Sequence, residues 1–164
     1  MIKSMTFKQA NIIGTILSFA MIVTALVIQL KYELEPCPLC ITQRIIYIVL
    51  GSIFLIFIWL PNNKLIRFLH VLIITITTLA GLIFSGRHIL IQAKIISVPA
   101  ECGIDLNYMF ENFPLTEAFD LLFQGTGDCS QIDWTLLGVT LPQMAFLGYL
   151  FFMIYALLIF KKIR

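Results

Sequence analysis

Four long apolar runs, almost empty of charge, leave this chain few ways to fold. Residues 11–30, 68–86 and 141–160 contain no Asp, Glu, Lys or Arg, and residues 41–60 contain only Arg44, near their start. Each run is long enough to cross a hydrocarbon layer of about 30 Å as a helix. An ionised side chain at the centre of such a span costs about 2.5 to 3.5 kcal/mol, so the empty centres are informative. Of the 164 residues, 60% are hydrophobic and 12% charged, against roughly 25% charged in a soluble domain. The expected fold is an all-α membrane protein, a four-helix transmembrane bundle forming one integral membrane domain over residues 1–164. Two outer loops, 31–40 and 87–140, and a turn at Pro61-Asn62-Asn63-Lys64 join the spans. No small-residue cleavage site follows the first run, so it is expected to stay as a span. The formal charge of +2 argues for no particular partner, and no nucleic acid is expected.

The distribution of charge orients the bundle. Lys3, Lys8, Lys64, Arg67, Lys161, Lys162 and Arg164 occupy the N-terminal lead, the 61–70 turn and the C-terminal tail, which hold no acidic residue. All acidic residues, among them Glu33, Glu35, Glu101, Asp128 and Asp133, fall on the other side. Basic loops stay in the cytoplasm. Both termini are therefore expected on the cytoplasmic side. The four cysteines, Cys37, Cys40, Cys102 and Cys129, are expected in the periplasm, where disulfides persist.

The long loop holds too many large apolar groups to lie free in water, including Tyr108, Phe110, Phe113, Phe119 and Phe123. Thr116 reads as an N-cap and Gly125 as the residue past a helix end. Phe119, Leu122 and Phe123 between them recur at helical spacing, which predicts a short interfacial helix in the long periplasmic loop. A small folded cap on the bundle is the alternative. Trp134, Tyr108 and Tyr149 suit interfacial depths. His70, on the cytoplasmic side, receives no function.

The chemistry concentrates in Pro36-Cys37-Pro38-Leu39-Cys40-Ile41-Thr42-Gln43-Arg44. A Cys-x-x-Cys pair there meets the start of a helix, whose N-terminal dipole favours a thiolate. Arg44, four residues after Cys40, puts a fixed positive charge on the same helix face. Gln43 reads as a helix-start polar residue that helps hold Arg44. No metal site is expected: there is no second Cys-x-x-Cys, and neither His lies at a ligand spacing. Haem attachment would need His in place of Ile41. A structural staple of this size would contribute only about 2 kcal/mol, so a redox pair is the preferred reading. For Cys102 and Cys129, a staple worth about 3.6 kcal/mol is a serious competitor to a redox role. Two pairs on one membrane face make a relay by thiol–disulfide exchange plausible. Four cysteines allow three pairings, and spacing alone does not choose among them.

The motif Cys37-Pro-Leu-Cys40-Ile-Thr-Gln-Arg44 resembles the Cys-x-x-Cys-x-x-(Gln/Glu)-Arg signature of the disulfide bond formation protein B family (DsbB), quinone-dependent thiol oxidases of the bacterial inner membrane. Arg87-His88 with Gln92, then Pro99-x-x-Cys102, resembles the passage from the family's third helix into its long loop. Gly125-x-Gly127-Asp128-Cys129, with Trp134 and Leu137-Gly138, resembles the segment of its fourth cysteine. The resemblance implies that Cys102–Cys129 is the disulfide offered to a DsbA-like periplasmic thiol oxidase, whose thiolate attacks Cys102. Cys129, once freed, attacks Cys37, and Cys40 contacts the quinone. It implies ubiquinone or menaquinone as cofactor, with Arg44 stabilising the Cys40 thiolate and the developing quinone charge, and His88 as a second quinone contact. The implied activity is that of a protein-dithiol:quinone oxidoreductase. The readings set against it are a paralogue serving another thiol partner and a disulfide-stapled membrane scaffold without turnover.

Overall fold

The computed structural model describes residues 6–97, 127–132 and 134–162. Within them lie four long helices: α1 (Phe7–Lys31), α2 (Pro38–Phe57), α3 (Lys64–Gln92) and α4 (Leu141–Lys162). All four are long and apolar enough to span a bilayer, and together they form a transmembrane bundle. Short connections make α1, α2 and α3 antiparallel neighbours. Helix α1 packs chiefly on α2, α2 on α3, and α3 on α4, and the α1–α4 seam is much thinner than these three. Cys102 and the expected interfacial helix at 116–125 lie outside the described residues.

The helix ends follow local chemistry. At the start of α1, the Thr6 hydroxyl accepts from the Gln9 backbone N–H (3.3 Å) and the Gln9 side chain accepts from the Thr6 N–H (2.9 Å), a reciprocal cap. Helix α2 opens with Cys37 as N-cap and Pro38 at its first position, where a missing N–H costs nothing. Helix α3 runs past the uncharged part that ends at 86, so Arg87 and His88 are helical. It ends where Lys94 turns left-handed (φ 57°). There the Lys94 N–H bonds to the Ile91 carbonyl (2.9 Å) and the Ile95 N–H to that of Leu90 (3.0 Å), which satisfies the last carbonyls. A two-residue hairpin, β1 (Thr135–Leu136) and β2 (Val139–Thr140), leads into α4. Its turn residues, Leu137 (φ 53°) and Gly138 (φ 82°), both have positive φ, the geometry that matches strand twist. Thr140 then donates its N–H to the Gln143 side chain (2.9 Å) as α4 begins.

The outward faces carry Ile16, Val23, Ile56, Ile76, Ile83 and Leu157, all exposed. In water they would be an aggregation surface; in a bilayer they meet acyl chains. The inward faces bring backbones close with small residues, as membrane bundles do. A Cβ on Gly14 would lie 2.6 Å from the Phe54 ring, and one on Gly81 would lie 2.5 Å from the Tyr149 ring. Tyr149 is fully buried, stacked on Tyr47 with ring centroids 4.2 Å apart, and donates its hydroxyl to the Gln43 carbonyl (2.6 Å). It is a core residue and not the interfacial anchor expected from its ring and hydroxyl. Toward the opposite end of the bundle, His70 is fully buried among the rings of Phe7, Phe54 and Phe57. Neither of its nitrogens has a hydrogen-bond partner among the described residues.

Candidate redox site

The cysteine end of the bundle is built by three segments. The first turn of α2 supplies Cys37 and Cys40, the last turns of α3 supply His88, and a 3₁₀ turn at Gly127–Ser130 supplies Cys129. That turn is held against α3 by apolar contact, since Cys129 packs with Leu39 and Ile91, all three nearly without exposure. The Gln92 side chain also donates to the Gln131 carbonyl (3.3 Å).

Geometry makes the two sulfurs of the Cys-x-x-Cys pair unequal. Cys37, as N-cap, accepts the first-turn amides of Cys40 (3.0 Å) and Ile41 (3.2 Å) with its carbonyl. Its side chain stays free to face the other cysteines. Cys37, Cys40 and Cys129 are not bonded to one another. Cys37 Sγ donates to Cys40 Sγ at 3.3 Å. The sulfurs of Cys37 and Cys129 and a ring nitrogen of His88 all lie within 4.8 Å of one another. Cys37 is therefore the central sulfur. Hydrogen bonding with Cys129, then with Cys40, and then burial push its thiol well above the ordinary range, so the proton stays on it.

His88 is 2% exposed. Its Nε2 lies 3.7 Å from Cys37 Sγ, and its Nδ1 lies 3.3 Å from the carboxamide nitrogen of Gln43. A carboxamide N–H donating to Nδ1 leaves the ring proton on Nε2, aimed at sulfur. Gln43 thus serves His88 and not Arg44, as its sequence neighbourhood had suggested. Arg44 instead donates through Nη1 to the Gln29 side chain, on α1. Adjacent residues on a helix point about 100° apart, so Gln43 faces α3 while Arg44 faces α1.

Two cavities meet this cluster. One, of about 90 Å³, lies between α1, α2 and α4, walled mostly by apolar side chains such as Met21, Ile22, Tyr47 and Met144. Met21, Ala25 and Met144 are only half-buried, so it opens outward along the weak α1–α4 seam. The other, of about 40 Å³, is more polar and is lined by Cys37, His88, Gln92, Gln131 and Trp134. Cys40 and Arg44 line both. His88 lines only the polar one. The site thus joins Cys37, Cys40, Cys129, Arg44 and His88. Sequence reasoning missed Gln29 as the partner of Arg44, and a lone uncharged amide at the end of an apolar run was the one signal for it.

A family model described as disulfide bond formation protein DsbB matches residues 7–159. Disulfide bond formation protein B of Methylobacillus flagellatus is 41% identical over 152 residues, covering 93% of this chain and 92% of that protein. Disulfide bond formation protein B of Methylococcus capsulatus is 40% identical over 141 residues, with 85% of each chain covered. That of Nitrosococcus oceani is 37% identical over 144 residues, 85% of this chain and 82% of that one. No solved structure matches the chain. With a family model spanning nearly its whole length and relatives this similar, this multi-pass membrane protein belongs to the disulfide bond formation protein B family.

Proposed function

We propose that this chain is a membrane thiol:quinone oxidoreductase that reoxidises a DsbA-like dithiol oxidase in the periplasm. The observation that carries the reading is the position of Cys37, with Cys40 at 3.3 Å on one side and Cys129 within 4.8 Å on the other. Thiol–disulfide exchange needs an attacking, a central and a leaving sulfur in reach of one another.

The relay balances as follows. The partner's thiolate attacks Cys102 of a Cys102–Cys129 disulfide, and the Cys129 thiolate leaves. Cys129 attacks Cys37 of a Cys37–Cys40 disulfide, and the Cys40 thiolate leaves. The partner's second thiol then attacks its own mixed disulfide, so that it departs oxidised and Cys102 becomes a thiol. Cys102 next attacks Cys129 in the Cys37–Cys129 bond, which restores the first disulfide and leaves Cys37 and Cys40 reduced. Closing that last pair releases two electrons and two protons. A quinone, ubiquinone or menaquinone, supplies the acceptor for both. The apolar cavity suits its ring, with Cys40 and Arg44 among walls that are mostly apolar. The Arg44 guanidinium, fixed by Gln29, favours the Cys40 thiolate and negative charge developing beside it. His88, the other residue proposed for the quinone, lies on the sulfur side, and we assign it to orienting and protonating the cysteine sulfurs. The basic turns and tails favour an inner-membrane location with both termini cytoplasmic.

The deciding experiment is quinone reduction by the purified protein in detergent, with a reduced periplasmic thiol oxidase as donor. Turnover that disappears in Cys40→Ser is expected. Absence of turnover with several donors and both quinone classes would favour the stapled scaffold. Turnover with a different donor alone would identify a specialised paralogue.

A further inference from the structure

We propose that the fully reduced cysteine cluster is also a metal site, binding one thiophilic divalent cation of the zinc or cadmium kind through Cys37, Cys129 and His88, with Cys40 as the fourth donor. In a tetrahedral zinc site, metal–sulfur distances of about 2.3 Å and metal–nitrogen distances of about 2.0 Å put donor atoms roughly 3.5 to 3.8 Å apart. Here Cys37 Sγ and His88 Nε2 are 3.7 Å apart, Cys37 Sγ and Cys40 Sγ are 3.3 Å apart, and Cys129 Sγ completes a set within 4.8 Å. For Cys37, Cys129 and His88, closing on a metal takes shifts of about an ångström. The donors are enclosed, with Cys129 1% and His88 2% exposed. Sulfur and imidazole select zinc, cadmium or cuprous copper over magnesium and calcium. The spacing argument against a metal does not see this set, because the fold and not the sequence interval brings His88 and Cys129 to the motif.

Gln43, against Nδ1 of His88, can orient that ring for ligation. Ligation through Nε2 requires the proton on Nδ1, and so an acceptor facing Nδ1. A half-turn of the Gln43 carboxamide presents Oε1 there in place of the nitrogen. The same residue therefore supports the Nε2-protonated ring in the absence of metal and the Nε2-ligating ring in its presence.

Binding is linked to redox state. Each thiol that ligates releases one proton, and no electrons move. A disulfide at either pair withdraws the sulfurs the metal needs, so only the reduced protein binds. A bound cation in turn engages the lone pairs that Cys37 and Cys129 use in exchange, and holds the enzyme out of turnover until it is removed. The inference rests on the donor geometry and not on the relay.

The test is anaerobic titration of the full-length, phosphine-reduced protein in detergent with cobalt(II), followed by zinc competition. The expected result is thiolate-to-cobalt charge-transfer absorption together with tetrahedral d–d bands, at one equivalent, bleached by zinc. The same protein after oxidation should give neither, a control that needs no substitution. Cys129→Ser and His88→Ala should each weaken binding by at least about tenfold, and Gln43→Leu by about 10- to 100-fold. Cys102→Ser, outside the donor set, should leave the bands in place. Absence of the bands from the reduced parent overturns the proposal. So do bands that survive oxidation, that persist unchanged in both Cys129→Ser and His88→Ala, or that vanish in Cys102→Ser. Metal binding without quinone turnover would sink the relay and keep this site, and turnover without metal binding would do the reverse.

Discussion

Replacing Gln29 by Leu should slow quinone reduction and spare thiol exchange. Gln29 lies near the end of α1, accepts from Arg44 Nη1, and is not a cysteine neighbour in sequence. A hydrogen bond to a charged group contributes about 1.5 to 3 kcal/mol. Arg44 is only half-buried, so water replaces part of the lost bond and the lower end, about 1.5 kcal/mol, applies. That corresponds to roughly a tenfold loss in rate. Arg44→Met removes the charge itself. At the spacing of i and i+4 on a helix, about 6 Å, and an effective dielectric near 20, a unit charge is worth roughly 3 kcal/mol to a thiolate at Cys40. The expected loss is then about 100-fold. Gln29→Glu keeps an acceptor for Arg44 but sets a negative charge against the same sulfur, and should be slower than the parent despite a well-held guanidinium. The assay separates the half-reactions. Single-turnover mixing of the reduced protein with quinone reads the first, and stopped-flow exchange with the reduced soluble partner reads the second. Equal losses in the two half-reactions, or full activity in Gln29→Leu, would refute the assignment of Arg44 to the quinone side.

Two further outcomes follow from buried groups. His70→Leu should stabilise the bundle by about 1 to 3 kcal/mol, since two ring nitrogens without a partner among the described residues are removed from a fully buried position; thermal unfolding in detergent measures this, and a lower midpoint would mean that the ring holds a partner inside the protein. The second concerns Cys37, whose ordinary thiol value is 9.0 and whose pKa is raised by its hydrogen bonds to Cys129 and Cys40. A raised value keeps the thiol protonated as pH climbs, so alkylation of Cys37 in the reduced protein should remain slow from about pH 7 to pH 9, as followed by peptide mass mapping. Alkylation at the rate of a free cysteine peptide over that range would contradict it.

How much was legible in advance depended on whether the deciding interaction was local. The four spans could be read because the cost of a charge in hydrocarbon acts residue by residue; the runs around Ser18, Thr78 and Phe152 contain none, and the run around Leu50 holds only Arg44 near its start. The shared face of Cys40 and Arg44 could be read because helix geometry fixes the i, i+4 relation. Gln43 was misassigned for the complementary reason. Its nearest charged neighbour in sequence is Arg44, but on a helix the next residue turns away, and its partner His88 arrives from another span. Tyr149 was placed at an interface because a ring with a hydroxyl suits that depth. The carbonyl of Gln43 and the flat surface of Gly81 give it a better place inside, and neither is visible without α3 and α4 packed together. Gln29 shares that cause. Its partner Arg44 lies on another element, and no periodicity reports a contact between elements.

Because Cys40, Arg44 and Leu141 line both cavities, these side chains form a shared partition between the polar cavity and the apolar one. Anything small enough to reach Cys37 from outside meets that partition before it meets whatever occupies the α1–α4 cleft. In the proposed relay, reducing equivalents would cross it as a change of bonding at one sulfur, with no molecule travelling through. The arrangement would then work as an insulator with one conducting point. It would protect against short circuit, in which a soluble thiol and a lipid-borne oxidant would react directly and bypass the protein. Leakage would then be governed by the packing around Cys40 and Arg44, so a smaller side chain in that layer should show itself first as loss of selectivity for the thiol donor, before any loss of speed.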